Sequence, residues 1–98
     1  MSWTKIAYEA LTDSNEVTVK PRGNSMLPLI KSGQPVTISP DIDLLEVGDI
    51  VFCKVKGNFY LHLIKAIDSK GRYLIGNNKG GVNGWTKSIF GKVIKVGD

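Results

Sequence analysis

The segment Asp49-Ile-Val-Phe-Cys-Lys-Val-Lys-Gly-Asn-Phe-Tyr-Leu-His-Leu-Ile-Lys-Ala-Ile67 contains the strongest strand signal in the chain. Both of its halves are rich in β-branched and aromatic residues, which favour strands. The dipeptide Gly57-Asn58 between the halves is typical of a tight hairpin turn. We therefore predict two antiparallel strands, over residues 49–56 and 59–67, joined by that turn.

Shorter segments of the same character flank this hairpin. Val17 and Val19 alternate with polar Thr18 and Lys20, which is the period-two pattern of a half-buried strand. Further strands are predicted at residues 35–39, 72–75 and 89–96, and the glycine- and asparagine-rich stretch 76–84 is predicted to be a loop. Many short strands separated by turn residues indicate a mainly β fold, a small antiparallel β-barrel or sandwich.

Residues 3–13 differ from the rest because their apolar side chains recur at helical spacing. Ile6, Ala10 and Leu11 fall on one face of a helix, and either Ser2 or Thr4 is a suitable cap for its start. A chain of 98 residues is the length of one domain. The prediction is thus a single domain over residues 1–98, with a short N-terminal helix and a β domain over residues 16–97.

The charge distribution argues against a nucleic-acid-binding protein. Lysine and arginine number 13 and acidic residues 9, which gives a net charge of +4. The basic residues are scattered, and several alternate with apolar residues, as in Lys54-Val-Lys56. Alternation of this kind indicates the solvated face of a sheet, whereas a nucleic-acid groove shows basic residues clustered with aromatics. We therefore do not expect a nucleic-acid partner.

The remaining composition excludes several other classes. Cys53 is the only cysteine, so an internal disulfide is impossible, and its apolar surroundings indicate a buried free thiol. One cysteine and one histidine cannot form a zinc cage, and we expect no metal or cofactor. No apolar run approaches the roughly 20 residues of a membrane-spanning helix, and the N-terminus lacks a signal-peptide pattern. We expect a soluble, cytoplasmic protein without a membrane anchor.

The segment Arg22-Gly-Asn-Ser-Met-Leu-Pro-Leu-Ile30 is the part most suggestive of chemistry. A serine between a glycine-bearing turn and a short helical turn exposes its hydroxyl at the end of a strand. The same geometry leaves backbone N–H groups free to bind the oxygen of whatever the serine attacks. The ordinary interpretation, in which Ser25 is only a turn residue, stays open on these residues alone.

Four segments together resemble signal peptidase I and the related self-cleaving repressor proteases of the LexA type. Gly23-Asn-Ser-Met-Leu-Pro28 resembles their nucleophile box, and Leu45-Glu-Val-Gly-Asp-Ile-Val51 resembles their Gly-Asp-Ile-Val strand. Tyr60-Leu-His-Leu-Ile-Lys-Ala-Ile67 resembles the strand that carries the general base, and Ile75-Gly-Asn-Asn78 resembles a late Gly-Asp-Asn box. The order and spacing agree over roughly residues 17–96. The resemblance implies a serine endopeptidase with Ser25 as nucleophile.

The same resemblance leaves two residues for the general base. Bacterial signal peptidases and self-cleaving repressors use a lysine in this strand, whereas the archaeal and endoplasmic-reticulum branch uses a histidine at the position of His62. Lys65 lies three residues later and, on a regular strand, points to the opposite face. An imidazole with a pKa of about 6.5 is basic at neutral pH, whereas Lys65 would need a strongly lowered pKa. His62 is favoured, Lys65 is the alternative, and a purely structural histidine is the third possibility.

Three further residues are candidates for supporting roles. Many signal peptidases carry a serine two residues before the nucleophile as an oxyanion donor, but that position is Gly23 here, so either Asn24 or a second backbone N–H is the substitute candidate. Asn77 stands where the histidine branch has an aspartate and is the candidate to orient His62. Met26 follows the nucleophile and either packs under the turn or helps to shape the site. An amide in place of a carboxylate implies slow turnover, because it cannot stabilise imidazolium by charge.

The implied partner is an extended peptide or protein substrate, with small side chains next to the cut as in the family. We expect a protein without the family's membrane anchors and accessory domain, a small processing peptidase of the kind that a phage encodes. A catalytically inactive module that keeps the fold and binds a protein is the alternative. Trp3 and Trp85 are interpreted mainly as core or hydrophobic cover, with a place at the rim of a substrate cleft as the other possibility.

Overall fold

The secondary structure follows the predicted order of a helix and then strands. The computed structural model describes residues 2–97. Helix α1 spans Trp3–Thr12, and it is followed by β1 (Val17–Val19), β2 (Val36–Ser39), β3 (Ile50–Val55), β4 (Asn58–Ile67), β5 (Tyr73–Gly76), β6 (Val82–Thr86) and β7 (Ile89–Val96). The predicted mainly β, antiparallel fold with a short N-terminal helix is confirmed.

All strands belong to one antiparallel sheet in the order β1-β2-β7-β3-β4-β5-β6. Within the described residues, β1 and β6 are therefore its two ends. The sheet coils, so that the end of β6 returns to β3: Thr86 Oγ1 donates to the carbonyl of Lys54 at 2.7 Å, and Lys54 N–H donates to the carbonyl of Ser88 at 3.0 Å. This return brings β6 over the middle of the sheet, where the candidate base lies.

The β3–β4 hairpin has a turn one residue earlier than predicted. Val55 pairs with Asn58, so the two central turn residues are Lys56 and Gly57, with φ of 51° and 85°. Positive φ at both positions is the pattern of the tight hairpin turn that matches strand twist. Asn58 consequently belongs to β4. This register places His62 opposite Val51 and Leu61 opposite Phe52.

Alternate residues of β3 face two separate cores. Phe52 faces the first, which α1 covers, whereas Val51, Cys53 and Val55 face the second. The sole cysteine is buried, as expected, and burial raises the pKa of its thiol to about 12. The central strand is thus buried on both faces, which explains why its sequence reads as a nearly continuous apolar run.

Helix α1 begins and ends close to the predicted positions. The Ser2 hydroxyl caps its start by accepting from the N–H of Lys5 at 3.3 Å, and the helix ends at Thr12, one residue before the predicted end. Its buried residues Ala7 and Leu11 pack on the first core. No helix in residues 2–97 is long and apolar enough to cross a membrane.

Strand β6 lies inside the stretch 76–84 and beyond it, where a loop was predicted, so that prediction is wrong for Val82–Gly84. Glycine and asparagine are poor strand formers, and the local sequence gives no period-two signal. The strand exists because β5 pairs with it, with Leu74 opposite Trp85 and Ile75 opposite Gly84. Gly84 has a φ of 137° and lies so close to Val55 that an added Cβ would be 3.2 Å from its side chain.

We expect replacement of Phe52 by alanine to be among the most destabilising changes in this domain. Phe52 is fully buried, and its ring stacks on Phe59 with centroids 5.3 Å apart and lies 5.8 Å from Trp3. Truncation of a buried phenylalanine typically costs about 3–5 kcal/mol of unfolding free energy. Urea denaturation of Phe52→Ala should show this loss. Ile94→Ala, at an apolar residue that is 51% exposed, is the control and should change stability by less than about 0.5 kcal/mol. Equal losses in both variants would contradict this assignment of the core.

Candidate active site

The turn that carries Ser25 is held from below by its own apolar residues. Met26 and Ile30 are 5% and 4% exposed and belong to the first core, and the carbonyl of Met26 accepts from the N–H of Ile30 at 3.0 Å. Of the two interpretations of Met26, the structure favours packing under the turn, although its side chain also lines part of the cleft described below. Ser25 itself is half-buried, so its position is set by the side chains that follow it.

A second set of contacts clamps the turn from the side of β5. Asn78 N–H donates to the carbonyl of Ser25 at 2.9 Å, and Asn78 Nδ2 donates to the carbonyl of Leu27 at 2.9 Å. The late Gly-Asn-Asn box therefore does reach the nucleophile turn. The contact is made by the second asparagine of the box, Asn78, for which no role was predicted from the sequence.

Asn77 does not occupy the position that the sequence analysis assigned to it. Its side-chain oxygen accepts from the N–H groups of Lys79 and Gly81, both at 2.8 Å, so the amide shapes its own loop and does not bond to His62. The physical reason is local: an asparagine oxygen two residues before a backbone N–H closes a turn with it. The side chain that contacts the imidazole is that of Asn83, not that of Asn77.

Ser25 and His62 meet in the structure although they are far apart in the chain. The Ser25 Oγ and His62 Nε2 atoms are 3.0 Å apart, which is hydrogen-bond distance. His62 lies in the middle of β4, on the face of Val51, and is 9% exposed. The strand register thus delivers the imidazole to the serine turn.

The other nitrogen of the imidazole is held by Asn83. His62 Nδ1 lies 2.6 Å from Asn83 Oδ1. An amide oxygen only accepts hydrogen bonds, so Nδ1 carries a proton in this contact, and in the neutral imidazole Nε2 then has its lone pair toward Ser25. That tautomer is the one in which the imidazole can take the serine proton.

Asn83 was missed by the sequence analysis because it lies on β6, the strand that was predicted to be a loop. Its only sequence signal is that it is a polar residue in the same asparagine-rich stretch as Asn77. The antiparallel pairing of β5 with β6 turns that stretch back over the sheet. Topology, rather than local composition, brings its side chain to His62.

The surroundings of His62 favour its neutral form. Burial lowers the pKa of His62 below its usual 6.5, and the hydrogen bond with Asn83 opposes this by a smaller amount. At neutral pH the ring is therefore unprotonated. The Tyr60 ring lies 5.1 Å from the His62 ring at an interplanar angle of 31°, a contact through which an aromatic face can attract an imidazolium.

Lys65, the alternative base, makes no hydrogen bond to Ser25, His62 or Asn83 within residues 2–97. A β-bulge between Ile64 and Ala66 makes Lys65 the extra residue of β4, opposite no partner of β5. Its side-chain carbons pass so close to Gly76 that an added Cβ would be 3.1 Å from two of them. The side-chain oxygen of Ser25 is hydrogen-bonded to His62 and not to Lys65.

A cleft of about 180 Å³ opens beside Ser25 and His62. Its walls are the nucleophile turn, the first half of β4 and the start of α1, contributed by Trp3, Pro21, Arg22, Gly23, Ser25, Met26, Ile30, Phe59, Tyr60, Leu61 and His62. Trp3 packs against Phe52 and also borders the cleft. It is therefore both a core residue and a residue at the rim of the cleft, the two alternatives considered for it. Trp85 is 44% exposed and lies over the guanidinium of Arg72, outside the cleft.

Asn24, the other candidate for the oxyanion site, is exposed. Its backbone carbonyl accepts from the N–H of Leu27 at 3.3 Å. Within residues 2–97, the backbone N–H groups of Asn24, Ser25 and Met26 donate to no protein acceptor, which makes them the backbone candidates for an oxyanion site. A role of the Asn24 side chain stays a prediction.

The protonation of His62 can be measured directly, because it is the only histidine in the chain. We expect an NMR titration of the imidazole to give a pKa below 6.5, since burial is the larger influence. Asn83→Asp should raise that pKa above the wild-type value, because a carboxylate stabilises imidazolium. Asn58→Asp places the same charge on the exposed start of β4 and is the control. A larger shift in Asn58→Asp than in Asn83→Asp would contradict the contact.

Comparison with known proteins gives the family of the chain. A protein-family model described as Peptidase S24-like matches residues 3–94. No curated protein and no solved structure matched the chain. The family match covers the helix, the nucleophile turn, the base strand and β6. This chain belongs to the Peptidase S24-like family.

Proposed function

We propose that this protein is a serine endopeptidase in which Ser25 is the nucleophile and His62 the general base. The observation that carries the proposal is the 3.0 Å contact between Ser25 Oγ and His62 Nε2, with Nδ1 held by Asn83. A serine whose hydroxyl is bonded to a base, and a base that is oriented by a third group, form the usual arrangement for nucleophilic catalysis. Family membership supports a peptidase-related function. In this proposal the general base is a histidine, as in the histidine-base branch that the sequence resembles at this position.

The reaction begins when His62 Nε2 takes the proton of Ser25 as Oγ bonds to the carbonyl carbon of the substrate. The resulting oxyanion is stabilised by backbone N–H groups, of which that of Ser25 is the first candidate. His62 then gives the proton to the leaving nitrogen, the C–N bond breaks, and an ester with Ser25 remains. Water loses a proton to His62, attacks the ester carbon and releases a carboxylic acid, while Ser25 Oγ recovers its proton.

The amide at Asn83 sets the expected speed of this reaction. It fixes the productive tautomer of His62, but it carries no charge to stabilise the imidazolium formed in the transition state. The face of Tyr60 supplies a weaker attraction. We therefore expect turnover to be slow, as the sequence analysis predicted from the Asn in the late box.

The substrate class follows from the edges of the site. Strand β1 is an end strand of the sheet, and the chain runs from it through residues 20–24 into the nucleophile turn. The outer edge of such a strand offers unpaired backbone groups to an extended peptide. An unfolded or flexible protein segment, with small side chains next to the cut, is the proposed substrate.

We expect Ser25→Ala and His62→Gln each to lower the rate of peptide cleavage by at least about a thousandfold, because each removes one half of the reacting pair. The assay is mass spectrometry of an unfolded protein and of short peptides after incubation with each variant. Lys65→Ala is the matched control for the base and should stay within about threefold of wild type, because Lys65 lies outside the bonded group. Cleavage by Ser25→Ala at the wild-type rate would reject the proposal.

The acid side of the pH profile gives an independent measurement. His62 acts in its neutral form, and burial lowers its pKa below 6.5. We therefore expect kcat/KM to decline in acid as the imidazole becomes protonated, and to reach half of its plateau value at a pH below 6.5. In Asn83→Asp this decline should begin at higher pH. A profile that instead rises through the alkaline range would indicate a lysine base.

A catalytically inactive protein-binding module is the second candidate. The observation that favours it is the neutral partner of His62, because an amide on Nδ1 leaves the imidazolium without a counter-charge. Under this alternative a serine-reactive fluorophosphonate would not label Ser25, and peptide binding would survive Ser25→Ala while no cleavage occurred in wild type. Labelling that is present in wild type and lost in both Ser25→Ala and His62→Gln would exclude it.

A further inference from the structure

A second, larger groove lies next to the cleft, between the start of α1 and strand β1. Its volume is about 590 Å³. The side chains that decide its character are Trp3, Ile6, Thr18, Val19, Lys20 and Arg22. The bond-breaking steps proposed for Ser25 and His62 do not involve this groove.

The groove is continuous with the cleft beside Ser25. Trp3 and Arg22 line both cavities. The chain from Val19 to Ser25 advances six residues, so the two sites are separated by at most about 20 Å, the span of a six-residue extended peptide. A peptide that enters the cleft and continues along β1 therefore passes through the groove.

One side of the groove is lined by residues of β1, which is an end strand of the sheet within residues 2–97. Strand β1 pairs with β2 on one side and is the end of the strand order on the other. An end strand presents a row of backbone N–H and C=O groups that an added strand can pair with. This wall favours an extended polypeptide as the occupant over a nucleic acid, which has no backbone groups of matching spacing.

The opposite wall is apolar, and the rim is basic. Ile6 is 41% exposed although it is a large aliphatic side chain, and Trp3 lies one helical turn before it. Lys20 and Arg22 are both exposed, and no aspartate or glutamate of residues 2–97 lines the groove. An occupant that matches both features carries an apolar side chain and negative charge.

We propose that this groove binds one flank of the peptide substrate and selects segments in which an apolar residue is accompanied by acidic residues, within about six residues of the scissile bond. This inference deepens the proposed peptidase function and rests on it for the identity of the occupant as a substrate. The apolar side chain packs against Ile6 and Trp3, while the carboxylates face Lys20 and Arg22.

Binding is measured in the Ser25→Ala background, so that cleavage plays no part. The probes are two fluorescein-labelled peptides of about twelve residues, alanine-rich and identical except that one contains Glu-Glu-Leu and the other Lys-Lys-Leu, a length that spans cleft and groove together. Fluorescence anisotropy at low salt should show the acidic peptide binding at least about tenfold more tightly, and this preference should shrink as salt is added. Equal affinity of the two peptides, or no binding of either, would overturn the proposal.

A charge-reversed pair of variants locates the effect. Lys20→Glu/Arg22→Glu should reverse the preference toward the lysine peptide. Lys70→Glu/Lys87→Glu makes the same change in net charge at two exposed residues outside the groove and should keep the acidic preference. A reversal that is as large in the second pair as in the first would show that overall charge, not the groove, selects the peptide.

The apolar part is tested separately. Replacing the leucine of the acidic peptide by serine should weaken binding several-fold, and Ile6→Ser, at a residue exposed enough for the fold to tolerate it, should largely remove that difference. A fluorescein-labelled oligothymidylate of the same length is the competing occupant. Binding of it as tightly as of the acidic peptide would overturn the peptide assignment.

The two proposals fail in different ways. If wild type cleaves peptides without any acidic or apolar preference, the groove proposal is wrong and the peptidase proposal stands. If Ser25→Ala binds the acidic peptide selectively while wild type cleaves nothing, the groove proposal stands as a binding site and the peptidase proposal is wrong.

Discussion

The hydrogen bond between Ser25 and His62 joins two parts of the chain that are positioned by different forces. The serine turn is held by burial of Met26 and Ile30 in the first core and by two hydrogen bonds from Asn78. The imidazole is positioned by the register of β4 against β3. A slip of one residue in this register would turn the imidazole to the opposite face of the sheet. The two supports meet in the first core, which contains Leu61 and Leu63 beside His62, so the contact needs both the packed core and the correct pairing of the hairpin.

The chemistry of the site is built almost without charge. The partner of His62 Nδ1 is an amide, and burial of the ring favours its neutral form. A buried carboxylate at this position would attract imidazolium strongly. Removing that carboxylate from water costs free energy, however, and further hydrogen bonds would have to offset this cost. An amide avoids that cost and still selects the tautomer. In the proposed reaction, the imidazolium formed in the transition state would therefore have no adjacent carboxylate and would be stabilised mainly by its other surroundings, including the face of Tyr60.

Sequence reasoning found the hairpin, the helix and the positions of Ser25 and His62, because each of these depends on local signals: strand-forming residues, helical spacing and a motif. It did not find β6 or Asn83. The residues of that strand, Val82-Asn-Gly-Trp-Thr86, carry no strand pattern of their own and are ordered by pairing with β5. Asn77 was assigned the orienting role because it lies in the recognisable box, but its side chain closes its own turn. Which asparagine reaches the imidazole is decided by the return of the chain over the sheet, which no local pattern encodes.

Helix α1 links the stability of the domain to the shape of its candidate site. Trp3 packs against Phe52 in the first core, and the same side chain borders both the cleft and the neighbouring groove. Helix docking therefore depends on the aromatic cluster around Phe52, and the walls of the cleft depend on helix docking. A helix that frayed at its start, where the Ser2 cap holds it, would open the cleft without disturbing the contact between Ser25 and His62. In this fold Ser25 and His62 are supported by the sheet and the core beneath it, whereas the walls of the cleft and of the groove, where we propose that a peptide binds, depend on how firmly the helix lies against them.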